Sequence, residues 1–315
     1  MLKSRWYILS YHNISWQETF VSRALGGICP PDLFESQIET LQGLGDFVLP
    51  DEAIERLKES ALDRPLFSIW FDDGLRDVRR YALPILKQKS IKATMALCSA
   101  FMKREHFFWR YQLSALAYRP EKNILKDQLK PWGYEEGLSV KEFTLNHFSL
   151  DMFRMINELY EKVFTKEEKE RAWLLFDTVE GMKDLKNEGW LLTNHSRLHY
   201  PIGESACLED LFCSEFESCD RFLEESLSIK NSYWVLPFDR MLQRASQLEV
   251  YFKEHAPKDK YLVLLRERVC SLEDVQRRIL SRISVPLLRG KELLRYLNLR
   301  SCPPSLFAKL RGKGV

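Results

Sequence analysis

Short, almost wholly apolar runs alternate along this chain with longer amphipathic stretches. The runs Trp6–Ser10, Leu66–Phe71, Ala93–Cys98, Trp190–Asn194, Tyr233–Leu236 and Tyr261–Leu265 have the length and make-up of buried strands. Between them the spacing predicts helices over Pro31–Leu44, Pro50–Ala61, Leu75–Lys89, Val179–Glu188, Leu208–Leu227 and Leu272–Ser281. Pro84 falls inside the third helix and should kink it or delay its start. Strands alternating with helices argue for parallel pairing with helical crossovers. From about Phe101 to Asp177 the text changes: it is rich in Phe, Tyr, Lys and Glu and holds no convincing strand. It reads as a helical insertion between two strands of the main sheet.

With 315 residues, 45% of them hydrophobic, the chain can fill one large α/β core or two small ones. A net charge of +2 is too balanced for a nucleic-acid binder. The seven cysteines form no CxxC pair, so neither a zinc knot nor a disulfide framework is indicated. They read as reduced thiols in a cytoplasmic protein. The N-terminal apolar run is too short for a secretory signal, and no run approaches the roughly 18 apolar residues of a membrane span. Residues 289–315 carry seven Lys or Arg against one Glu, interleaved with Leu, Tyr and Phe. Such a tail either contacts an anionic membrane surface peripherally or forms a docked helix followed by frayed chain; the second reading is favoured.

Candidate chemistry sits at three strand ends, the edge of a parallel sheet where ligands collect. Phe71-Asp72-Asp73-Gly74 closes a buried strand with adjacent carboxylates that diverge, so one can ligate a metal while the other takes a proton; taken alone, such a pair is more often a cap for the next helix than a site. Asn194-His195-Ser196-Arg197-Leu198-His199-Tyr200-Pro201 follows another strand. Its two histidines, four apart, would lie on one face of a helical turn and reach one cation, of the late first-row divalent kind that imidazole suits. Tyr233-Trp234-Val235-Leu236-Pro237-Phe238 is a third strand end, stopped by proline.

Together these segments resemble the polysaccharide deacetylases, the NodB-homology family. Phe71–Gly74 is similar to its TFDDG motif and His195-Ser196-x-x-His199-x-Pro201 to its HSxxHP motif. Tyr81-Ala-Leu-Pro-Ile-Leu-Lys, Ile91-Lys-Ala-Thr-Met, the opening Tyr11-His12 and the Leu236-Pro237-Phe238 turn add support. The resemblance spans roughly 5–100 and 180–285. It implies an α/β fold, a distorted (β/α) barrel of about seven parallel strands covering 1–288, with the helical insertion at about 101–177. It also implies a divalent metal, zinc first and Co²⁺, Ni²⁺ or Mn²⁺ as alternatives, held by Asp73, His195 and His199. Asp72 would be the general base, the backbone N–H of Phe238 would face the oxyanion, and Ser196 would orient the His195 loop.

Two departures stand out. The arginine that many members place two residues before the third-motif proline, as partner to the base, is Val235 here. The late-strand general-acid histidine of an L-x-H pattern finds its apparent counterpart in Val263-Leu264-Leu265-Arg266. Arginine stays protonated and is a poor proton donor. Three readings remain open: Arg266 binds an anionic part of the substrate, His12 serves as the acid, or the pocket only binds. The implied function is removal of acetyl or formyl from an N-acylated amino sugar, nucleotide- or lipid-linked in surface-glycan synthesis. The alternatives are a non-catalytic carbohydrate- or metal-binding relative, or hydrolysis of a non-sugar C–N bond.

Overall fold

The computed structural model describes residues 2–23, 28–119, 122–201, 207–238 and 245–301. The strands are β1 (Trp6–Tyr11), β2 (Asn13–Ile14), β3 (Ile28–Cys29), β4 (Asp46–Phe47), β5 (Leu66–Phe71), β6 (Thr94–Leu97), β7 (Leu191–Asn194), β8 (Tyr233–Val235), β9 (Tyr261–Leu264) and β10 (Ile279–Ser284). All pairings among them are parallel, in the order β1-β10-β9-β8-β7-β6-β5, and β5 returns to β1. Seven strands thus close into a barrel. β4 lies beside the first half of β5, and β2 pairs with β3.

Alternation along each strand separates two environments. Trp6, Ile8, Leu66, Trp70, Ala96, Tyr233, Val235, Val263 and Leu280 pack together inside the barrel. The intervening residues face the helices: Tyr7, Leu9, Phe67, Ile69 and Phe71 meet one group of them, and Trp234, Leu262 and Leu264 meet another. Ser68 accepts a hydrogen bond from the Trp6 indole at 2.9 Å and donates to the Val48 carbonyl at 2.8 Å, so this buried hydroxyl is satisfied.

The helices are α1 (Pro31–Gln42), α2 (Pro50–Glu59), α3 (Leu83–Gln88), α4 (Ser99–Met102), α5 (Trp109–Ala117), α6 (Lys122–Leu129), α7 (Val140–Asn146), α8 (Leu150–Val163), α9 (Lys166–Trp173), α10 (Val179–Asn187), α11 (Leu208–Leu211), α12 (Ser218–Leu227), α13 (Ala245–His255), α14 (Leu272–Gln276) and α15 (Gly290–Arg300). Pro84, with no N–H to donate, takes the second position of α3, and a π-helical turn over Val78–Ala82 precedes it. Among the described residues the stretch between β6 and α10 holds helices joined by turns and no strand, with α8 packed on α5.

One expectation needs correcting. The helix anticipated over Leu272–Ser281 ends at Gln276, and Ile279–Ser284 is the barrel-closing strand β10. The basic segment from 289 begins as α15, whose Leu293 and Leu297 are buried and which packs on α1; positions 302–315 lie outside the described residues. No helix among the described residues is long and apolar enough to cross a membrane.

Candidate metal centre and active site

The C-terminal mouth of the barrel gathers the charged groups. Inward parity on β5 runs Leu66, Ser68, Trp70 and on to Asp72; on β10 it runs Leu280 and then Arg282. The two meet at the rim, where Arg282 Nη1 donates to Asp72 Oδ1 at 2.7 Å and both side chains are buried. The charge partner that Val235 could not supply therefore comes from the last strand. Burial opposes ionisation of Asp72, but the positive charge of Arg282 outweighs it and holds the carboxyl well below the usual carboxylate range.

Asp73, one residue on, adopts φ 71° and turns away from its neighbour. His195 follows β7 and His199 lies four residues later. The segment between them is an irregular loop and not the helical turn expected. Ser196 and His199 sit at φ 71° and 56°, and the His199 N–H donates to Ser196 Oγ at 3.0 Å, folding the loop back on itself. Buried Glu215 accepts from the Leu198 N–H, and Asn194 Oδ1 accepts from the Ser196 N–H, both at 2.7 Å. Phe238 has φ 52°. Four site residues in the left-handed region form a cluster of backbone strain of the kind that functional sites carry.

The loop brings three donor atoms together. His195 Nε2 and His199 Nε2 are 3.0 Å apart, and Asp73 Oδ1 is 3.7 Å from the first and 3.4 Å from the second. A tetrahedral centre with ligands at about 2.0–2.2 Å would space its donors about 3.3–3.6 Å apart, so the residues fit a divalent ion. Two further observations agree. Asp73 Oδ1 is buried with no hydrogen-bond partner. His195 Nδ1 lies 2.9 Å from the Val235 carbonyl, which fixes the tautomer that leaves the Nε2 lone pair facing the cluster. Burial pulls His195 down to about 4 and His199 well below its ordinary value, keeping both imidazoles neutral as ligands require. Asp73 is pushed up to about 8 by burial and then by the Asp72 charge, a penalty that a bound cation would remove.

His12, just beyond β1, stands at the rim with its side chain about half exposed and Nε2 3.8 Å from Asp72 Oδ2. With Asp73, His199 and Phe238 it lines a cavity of about 270 Å³, whose other wall is built by Phe108, Arg110, Tyr111 and Lys141 from the inserted helices. The Phe238 ring stands edge-on to His199 at 4.5 Å. The insertion is pinned to the Asp73–Gly74 turn: the Asp177 N–H donates to the Gly74 carbonyl at 2.9 Å and the Arg76 N–H to the Leu175 carbonyl at 3.0 Å.

Arg266 does not join this group. It lies past the end of β9 on the parity of Leu262 and Leu264, which face outward, and it ion-pairs with Glu249 of α13. The late-strand arginine at the mouth is Arg282, which the sequence reading missed.

A closed parallel barrel with carboxylates and histidines converging at its C-terminal rim defines a (β/α)-barrel hydrolase-type site. Residues 60–251 match the sequence profile described as polysaccharide deacetylase, and the chain belongs to that family, whose members support hydrolysis of N-acetyl amide bonds on sugars. No curated protein sequence matches the chain. Among solved structures it is similar to the Streptococcus pyogenes deacetylase PplD (TM-score 0.60, 18% identity, 93% of this chain and 98% of that one). It is also similar to a de-N-acetylase from Aggregatibacter actinomycetemcomitans (0.59, 12%, 93% and 100%) and to IcaB from Ammonifex degensii (0.57, 15%, 94% and 98%). At these identities the likeness is one of fold.

Proposed function

We propose that this chain is a metal-dependent hydrolase that removes an N-acyl group, acetyl or formyl, from an amino sugar carried on a nucleotide or lipid. The observation behind this reading is the convergence of Asp73, His195 and His199 beside an arginine-paired Asp72, with Asp73 and His199 lining the cavity at the barrel mouth. Asp73, His195 and His199 would hold a divalent ion, zinc by its match to two imidazoles and a carboxylate. When bound, the ion supplies Lewis-acid polarisation of the amide carbonyl and a lower pKa for water.

The chain's own residues do the rest. Asp72, kept ionised by Arg282, accepts the proton of the attacking water. The backbone N–H of Phe238 faces the amide oxygen as negative charge gathers there. His12, 3.8 Å from Asp72 and half exposed, passes a proton to the departing amine. Ser196 holds the loop that aims both histidines. Arg282, rigid and permanently charged, fixes Asp72 and transfers nothing.

Release of acetate or formate by the zinc-loaded protein from N-acyl sugar nucleotides and lipid-linked sugars tests this. Asp72→Asn should keep the metal yet lose about 10²–10⁴-fold in turnover. Zinc-loaded protein that binds these sugars and releases no acid from any of them would favour the binding-only relative.

A further inference from the structure

The wall of the cavity opposite the metal ligands carries a cation with no carboxylate partner among the described residues. Arg110 is the second residue of α5, is only 4% exposed and lines the cavity with Asp73, His199 and His12. One guanidinium N–H donates to the Lys141 carbonyl at 2.8 Å, and no carboxylate of the described residues lies within ion-pair reach. The guanidinium stacks 5.2 Å from the Trp109 ring and 5.8 Å from the Phe238 ring, which fixes its plane. Two features of this placement cost stability: the desolvated cation has no counter-charge among the described residues, and the first turn of a helix repels positive charge. Burial lowers Arg110 to about 10, and Lys141 on the same wall is lowered by burial and by the Arg110 charge. A purely structural arginine would be paired with an acid, as Arg282 and Arg79 are.

We propose that Arg110, with the α5 N-terminus and Lys141 beside it, binds an anionic group of the substrate, a phosphate ester, in the same cavity that receives the scissile amide. Arginine's planar fork suits phosphate oxygens, and an anion there meets both the guanidinium and the positive helix end. A volume of about 270 Å³ sits just under the usual range for small-ligand pockets, about 300–1,000 Å³, so a single sugar ring would touch both walls. The selectivity for phosphate that the sequence suggested for Arg266 thus falls to an inserted helix. This inference rests on the deacylase reading for its chemistry.

The test compares zinc-loaded wild type, Arg110→Gln and Arg110→Lys on N-acetylglucosamine, its 1-phosphate and its 6-phosphate, by acetate release and by calorimetric binding. Circular dichroism and zinc content confirm that each variant is folded. The expected result is a kcat/KM preference for one phosphorylated sugar that Arg110→Gln reduces about 10- to 100-fold and Arg110→Lys partly restores. Preference for the 1-phosphate points to a glycosyl phosphate linkage and for the 6-phosphate to a ring ester; either supports the proposal. An unchanged preference in Arg110→Gln, or none in the wild type, overturns it. If no sugar is hydrolysed, the deacylase reading fails, and calorimetry still decides: an Arg110-dependent binding preference for a phosphorylated sugar upholds the anion site, and equal binding of all three refutes it.

Discussion

Replacing Arg282 by Met removes the charge that faces Asp72 while keeping a long apolar stem on β10. The pair is 2.7 Å apart, with both side chains 3% exposed or less, so solvent cannot take over the role of the lost partner. Breaking a buried ion pair from one side typically costs about 3–5 kcal/mol, because the remaining charge stays desolvated. Here the penalty is compounded, since Asp73 follows immediately and is buried as well. Urea unfolding of wild type, Arg282→Met, Asp72→Asn and the double variant forms a cycle that isolates the pair. Arg282→Met should lose about 3–5 kcal/mol and most acetate release. The double variant should be more stable than Arg282→Met alone, because a neutral amide replaces the stranded carboxylate. Additive losses, or Arg282→Met within about 1 kcal/mol of wild type, would show that Arg282 is not the group sustaining the Asp72 charge.

Other perturbations follow from the same geometry. His195→Ala and His199→Ala should each strip the divalent ion, read as loss of stoichiometric zinc after dialysis; full retention in both puts the centre elsewhere. Arg266→Ala should leave any preference for phosphorylated over neutral sugar unchanged, since its partner is Glu249 on the outer helix. Gly74→Ala should destabilise by about 1–3 kcal/mol in thermal or urea melts, because φ is 71° and a Cβ would come 2.7 Å from Met102 Cε.

What the sequence disclosed and what it hid have a common cause. The motif residues Asp72, Asp73, His195 and His199 were legible because their chemistry is packed into short, unusual strings at strand ends. Most strands were legible too, since Leu66–Phe71 and Trp190–Asn194 have no polar face to suggest a helix. β10 was not: Leu272, Val275, Ile279, Leu280 and Ile283 are spaced as one face of a helix, so the strand reads as the last turns of α14. Missing that strand hid Arg282. Arg266 was misplaced for a related reason. A strand buried on both sides shows no polar alternation, so nothing in Tyr261–Leu264 says which parity points inward. The signal available was residue type: an arginine inside the apolar, β-branched run Ile279–Val285 needs a buried acid, and Asp72 was at hand. The irregular path from His195 to His199 depends on Glu215 and Asn194, contacts that local spacing does not encode.

The Asp72–Arg282 contact joins positions 210 residues apart, and β10, which carries Arg282, is the strand that completes the ring by pairing with β1. During synthesis β1, β5 and β6 emerge long before β10, yet until β10 docks the carboxylate at the end of β5 has no counter-ion in a dry interior. Such long-range pairing is paid late in folding. Closure of the ring and the pairing of Asp72 are therefore coupled: a chain cut before Ile279 lacks both the strand that completes the barrel and the arginine that faces the carboxylate.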